Sequence, residues 1–234
     1  TSGLKREQPL HSACYAGSSS NGRDERAECV RLLLEASAPI EAVNSEGSTP
    51  LGLAAEAGHV ACLQQLLPFG ASVNAPDSMN RTPLYRACRY GRTDAVRLLL
   101  LCPEIDMNAS SDEVVLPEAH DGYRDMVAPI DICCWRGHIA TLNLLIEARA
   151  DIGPRDEATG DSIIASRTLQ FNKGSALSER QSKCVQLLQA EATAMVLLAE
   201  ESECSSSAVA LVTNGAYNGQ GGGGGGGEKG GGAK

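Results

Sequence analysis

The chain has 234 residues, a formal charge of -9, 42% hydrophobic residues and only 3% aromatic ones, so a sizeable core is available but must be built from Leu, Ala, Val, Ile and Cys. Few aromatics disfavour a β-sandwich, and the acidic balance argues against tight nonspecific binding to nucleic acid or acidic membranes. No run approaches the roughly 18 to 20 apolar residues of a membrane-spanning helix.

In chain order, one unit is written several times across residues 4–202. The first copy, 4–41, holds Gln8-Pro9-Leu10-His11, Ala13-Cys14, Gly17 and, after an insertion from Ser18 to Glu25, Cys29-Val30-Arg31-Leu32-Leu33-Leu34. The second, 45–75, runs Ser48-Thr49-Pro50-Leu51, Ala54-Ala55, Gly58-His59, Leu63, Leu66-Leu67, Gly70-Ala71 and Val73-Asn74-Ala75. The third, 78–108, opens with Arg81-Thr82-Pro83-Leu84, 33 residues after its counterpart, and continues through Ala87-Cys88, Gly91-Arg92, Val96 and Leu98-Leu99-Leu100. An acidic insertion of about 109–127 carries Asp112, Glu113, Glu118, Asp121 and Asp125 against Arg124. The fourth copy, 126–153, has Ala128-Pro129-Ile130-Asp131, Cys133-Cys134, Gly137-His138 and Leu144-Leu145-Ile146. A degenerate fifth, 156–190, ends on Cys184-Val185-Gln186-Leu187-Leu188. A capping helix over 190–201 and a Gly-rich tail over 203–234, expected to be disordered, complete the sequence.

Each unit predicts two short antiparallel helices. Thr49 or Thr82 caps the first, and the following Pro takes the first helical position, where its missing N–H costs nothing. Gly58, Gly91 and Gly137 end that helix in the left-handed conformation. Helices of about eight to ten residues are marginal alone, so the units must share their apolar faces as a one-dimensional stack.

These motifs resemble the ankyrin-repeat family, whose Thr-Pro-Leu-His signature has this period. The resemblance implies an all-α solenoid of helix-turn-helix units with short β-hairpin or loop connections. Only His11 keeps the signature His; Gly52, Tyr85 and Asp131 replace it, which implies that the usual hydrogen bonds between loops are partly lost. Asn74 stands where asparagines of such hairpins are hydroxylated, against a plainer role in stabilising its own turn.

Candidate chemistry is sparse. In register, Cys14, Ala55, Cys88 and Cys134 share one position, and Cys29, Cys62, Ala95, Thr141 and Cys184 another, which reads as buried small residues. Neither a metal-ligand spacing nor a nucleophile paired with a base is evident, so no catalytic, metal or cofactor residue is expected and the chain reads as no enzyme. Nine cysteines, an odd count without paired spacing, fit a reducing compartment, cytoplasmic or nuclear. Thr1 in place of an initiating Met reads as a fragment or processed product.

The variable positions are more informative. The resemblance implies that hairpin tips and the exposed end of each first helix contact partners: Tyr15, Glu56, Met79, Arg81, Arg89, Tyr90, Trp135 and Arg136. Trp, Tyr and Arg are enriched at binding hot spots, although Trp135 also reads as a filler between repeats. The expected function is that of a protein-binding scaffold or adaptor. The alternative is a regulatory or targeting segment of a larger enzyme or channel. Arg81, Arg86, Arg89 and Arg136 suggest another protein or an acidic peptide as the partner, with no small-molecule substrate and no specific nucleic acid.

Overall fold

In the computed structural model, residues 8–15, 23–112, 127–151, 178–191 and 194 are described. Thr49 Oγ1 accepts the N–H of Gly52 (3.3 Å) and Thr82 Oγ1 that of Tyr85 (3.2 Å), so each hydroxyl satisfies one orphan donor of a helix that begins at the next residue, a proline. The fourth unit has Ala128 at this place and uses the reverse bond: Ala128 N–H donates to the Asp131 carboxylate (2.8 Å). The resulting helices are α1 (Pro9–Tyr15), α2 (Arg23–Glu35), α3 (Pro50–Ala57), α4 (Val60–Leu66), α5 (Pro83–Arg89), α6 (Thr93–Leu99), α7 (Pro129–Arg136) and α8 (Ile139–Glu147). Residues 179–191 are helical as well, and Ser178 Oγ caps that stretch by accepting from Gln181 N–H (3.3 Å).

Consecutive helices pair as hairpins, α1 with α2, α3 with α4, α5 with α6 and α7 with α8. The hairpins stack in two rows. First helices touch in the order α1, α3, α5, α7, and second helices in the order α2, α4, α6, α8. Seven- to nine-residue helices cannot hold themselves together in water, so the shared core between rows supplies the stability. Leu10, Leu51, Leu84 and Ile130 lie at equivalent places on the first row, and Leu63, Val96 and Leu142 on the second, all essentially inaccessible. Fully burying a side chain of this kind contributes about 1.5–3 kcal/mol, and every internal repeat receives it from both neighbours.

The cysteine register holds with one correction. Cys14, Ala55, Cys88 and Cys134 are buried at one level, and Cys62, Ala95, Thr141 and Cys184 at the other. Cys29 is exposed. Helix α2 is the first of its row among the described residues, so no preceding helix covers the flank that its counterparts bury. A second correction concerns the insertion from Ser18 to Glu25: its last three residues are the opening turn of α2, which reaches 13 residues where α4 has 7.

Among the described residues the predicted hairpins contain no strand. They are reverse turns, Asn44 to Ser48 and Asp77 to Arg81, each closed by two backbone bonds (Asn44 N–H to Ser48 O, 3.1 Å, and Gly47 N–H to Asn44 O, 3.1 Å; Asp77 N–H to Arg81 O, 3.2 Å, and Asn80 N–H to Asp77 O, 3.0 Å). In the fourth unit, Ser111 and Val127 form an isolated antiparallel bridge flanking 113–126. The acidic side chains expected there beyond Asp112, the capping helix beyond 191 apart from Ala194, and the 203–234 tail lie outside the described residues. Asn74 binds the next repeat rather than its own turn: Nδ2 donates to Glu104 O (2.6 Å) and Oδ1 accepts from Asp106 N–H (2.9 Å). No described helix is long and apolar enough to cross a membrane.

Candidate functional site

The site is built on the two reverse turns. Asn44 Oδ1 accepts the N–H groups of Glu46 and Ser48 (both 2.9 Å), and Asp77 Oδ1 those of Met79 (2.9 Å) and Arg81 (3.0 Å). These Asx bonds fix the turns, and bonds between turns fix their stacking. Ser78 donates to Glu46 O through both N–H (3.1 Å) and Oγ (2.7 Å). Asp112 N–H (3.0 Å) and Ser111 Oγ (3.2 Å) donate to Met79 O. Glu46 and Met79 are thereby held at equivalent places on adjacent tips.

Against these tips stand the C-terminal ends of the first-row helices. The two sets enclose a concavity of about 780 Å³, lined by Tyr15, Glu56, Met79, Arg81 and Tyr90 together with His11, Ser12, Asn44, Glu46, Leu53, Ser78 and Arg86. Five of the eight residues expected at the binding face therefore converge. Three are large, partly apolar side chains left open to solvent: Tyr15 is 51% exposed, Met79 46% and Tyr90 44%. Open aromatic and thioether surface on a folded repeat is the kind a partner covers.

Arg89, Trp135 and Arg136 do not line this concavity. Arg89 is half-buried near the Tyr90 ring (5.8 Å to its centroid), and the Arg136 guanidinium sits over the Trp135 ring at 4.7 Å. Their backbones tie repeats together: His138 Nε2 donates to Arg89 O (3.1 Å), and Gln181 Nε2 to Trp135 O (2.7 Å).

The main correction concerns charge. Arg86, expected to add surface charge, is 2% exposed and ends inside the stack. Its Nη2 lies 2.8 Å from Asp77 Oδ2 and 2.7 Å from Ser48 Oγ, and its Nη1 lies 2.8 Å from Glu56 Oε2, close but out of hydrogen-bond alignment. Glu46 approaches Nη2 at 3.7 Å. Arg81 donates Nε to the same Asp77 oxygen (2.8 Å). Burial works against the Asp77 carboxylate, yet the N–H groups of Arg81 and Met79 and the two guanidinium groups hold its pKa below the ordinary value. Both arginines of the groove are thus paired with carboxylates.

The bonds between loops are replaced, not lost. At the first junction His11 Nε2 reaches Ala42 O (2.9 Å) and Ser48 O (3.2 Å). At the second, Gly52 occupies the His place, and a Cβ there would lie 3.8 Å from Arg86 Cδ; the arginine fills the room and bonds Ser48. At the third, Tyr85 is fully buried and its hydroxyl bonds Ser111. Composition did not reveal these substitutes, because each arises from a residue in a neighbouring repeat.

Burial pushes Cys133 and Cys14 far above the usual range, and Cys62 and Cys184 up to about 11, so they remain protonated. Among the described residues no group of three or more His, Cys, Asp or Glu is placed to hold a metal ion.

Residues 19–111 match the family described as ankyrin repeats, in three copies. No curated protein matches the chain.

Proposed function

This chain is an ankyrin-repeat protein, and on that footing we propose that it is a non-catalytic scaffold or adaptor whose protein partner lies along the groove between the turn tips and the first-row helices. Ankyrin repeats are generally protein-interaction modules, and one observation carries the reading to this face. Variable residues from the first and third repeats, Tyr15, Met79 and Tyr90, expose large side chains in one concavity. Partner side chains seated there would cover aromatic surface on a rigid stack, so little ordering entropy opposes binding. The alternative, a targeting segment joined to a larger enzyme or channel, would use the same face and makes the same mutational prediction.

The test selects binders from a random peptide library on the immobilised chain and compares them on two variants whose folding is verified by circular dichroism. A Tyr15→Ala/Met79→Ala/Tyr90→Ala variant is expected to lose about tenfold or more in affinity. A Phe69→Ala/Leu101→Ala control, at exposed apolar positions outside the groove, is expected to bind as the parent does. Selected peptides that ignore the triple substitution and respond to the control would place the binding face elsewhere.

A further inference from the structure

The groove contains two arginines, yet their charge is already committed. Arg86 and Arg81 face three carboxylates, Asp77, Glu56 and Glu46, within 4 Å. Asp77 and Glu56 are turned inward, their side chains 2% and 16% exposed, whereas the Glu46 side chain is 66% exposed and only loosely approached by Arg86. The carboxylate that remains for a ligand is therefore that of Glu46.

It shares the concavity with the open rings of Tyr15 and Tyr90 and the thioether of Met79. Glu56 first, then burial, Tyr90 and Glu46 raise the pKa of the Tyr15 phenol, against the lowering effect of Arg86. A cation gains from a carboxylate and from ring faces together. An anion would meet Glu46 and Glu56, while the guanidinium groups among the described lining residues, those of Arg81 and Arg86, are already paired. A volume of about 780 Å³ accommodates a few side chains of an extended segment, not a folded domain.

We propose that the groove takes a basic peptide segment, with a Lys or Arg side chain beside Tyr15 and Tyr90 directed to Glu46, and an apolar neighbour on Met79. The inference rests on the concave-face reading above and adds the sign of the ligand's charge.

The test uses the full chain and three fluorescein-labelled extended peptides of one length: alternating Lys and Leu, the same with Glu for Lys, and the same with Gln for Lys. Fluorescence anisotropy is read at about 50 and about 200 mM salt, where screening differs. The Lys peptide is expected to bind roughly tenfold or more tighter than the Glu peptide at low salt, with the gap narrowing at high salt. Glu46→Lys, at an exposed position that leaves the Arg86–Asp77 pair in place, is expected to abolish that preference, and Glu46→Gln to halve it or more. Tyr15→Ala/Tyr90→Ala is expected to weaken the Lys peptide. Circular dichroism confirms that each variant is folded.

Equal binding of all three peptides, or preference for the Glu peptide, that is lost in Tyr15→Ala/Tyr90→Ala overturns the charge assignment and leaves the groove as the binding face. Binding that survives Tyr15→Ala/Tyr90→Ala overturns both. Absence of binding by every peptide overturns the charge assignment alone.

Discussion

Arg86 and Asp77 meet inside the stack with Nη2 and Oδ2 2.8 Å apart, each side chain 2% exposed. The pair joins the helix α5 to the turn that precedes it, and through Ser48 and Glu56 the same guanidinium reaches the previous repeat. A charge so placed is tolerated only because its partners accompany it.

Arg86→Met would strand Asp77 without its main countercharge and Glu56 without its close partner. The expected cost is about 3–5 kcal/mol, the range for breaking a buried pair, read as a lower urea midpoint with an unchanged slope. Asp77→Asn is expected to destabilise as well, and the double variant by less than the sum. Additive costs would mean that the two residues do not act as a unit.

The pH dependence follows from two groups with opposite charge types and the same sign of effect. Asp77 has a lowered pKa, so its contribution is complete above about 3.9, the unfolded value, and is lost as pH falls through its folded value. His138 is also lowered, by burial first and by Arg136, Arg180 and Arg92, against the raising bond to Arg89 O. The unfolded chain therefore takes up that proton first, and stability declines as pH falls below about 6.5 towards the folded value. Thermal melts across pH should show both declines. Asp77→Asn should remove the acidic one and His138→Gln the one near neutrality; a melt that is flat from neutral to mildly acidic pH would contradict the His138 assignment.

Thiol labelling should divide the described cysteines by place in the stack. Iodoacetamide followed by peptide mapping is expected to modify Cys29, which is exposed, well before Cys14, Cys88, Cys133 and Cys134, which are fully buried. Those four should react only on unfolding. Early modification of Cys88 or Cys133 would mean that the contact between α5 and α7 opens readily.

Gly91 is constrained twice: its φ is +64°, and a Cβ would lie 2.7 Å from His138 Nδ1. Gly70 has φ +90° with nothing within 4 Å of the same position. Gly70→Ala is expected to cost about 1 kcal/mol from backbone strain alone, and Gly91→Ala measurably more because the imidazole must move. Equal losses in chemical denaturation would show that His138 gives way freely.

The repeat was legible because its signals are local. A capping Thr followed by Pro, a Gly at the helix end and small residues at Cys14, Ala55, Cys88 and Cys134 report on backbone geometry within one unit, and the structure places them accordingly. Register also located half of the groove, since Tyr15 and Glu56 are equivalent places in neighbouring units. Arg86 was misread because an arginine in a short helix looks like a solvated charge. Its burial depends on Ser48, Glu56 and Asp77, which meet only after the hairpins stack. Cys29 was misread for the converse reason: equivalence in register does not supply the neighbour that an end helix lacks.

By itself, then, the sequence determined the unit: which residues start, turn and end each helix, and which faces are apolar enough to demand a neighbour. Only the tertiary structure decided which carboxylates pair with the groove's arginines, the residues that bridge successive turns, and which of the expected contact residues share one concavity. Helix caps and apolar spacing act over a few bonds along the chain, whereas electrostatic pairing and accessibility depend on side chains brought together from different repeats.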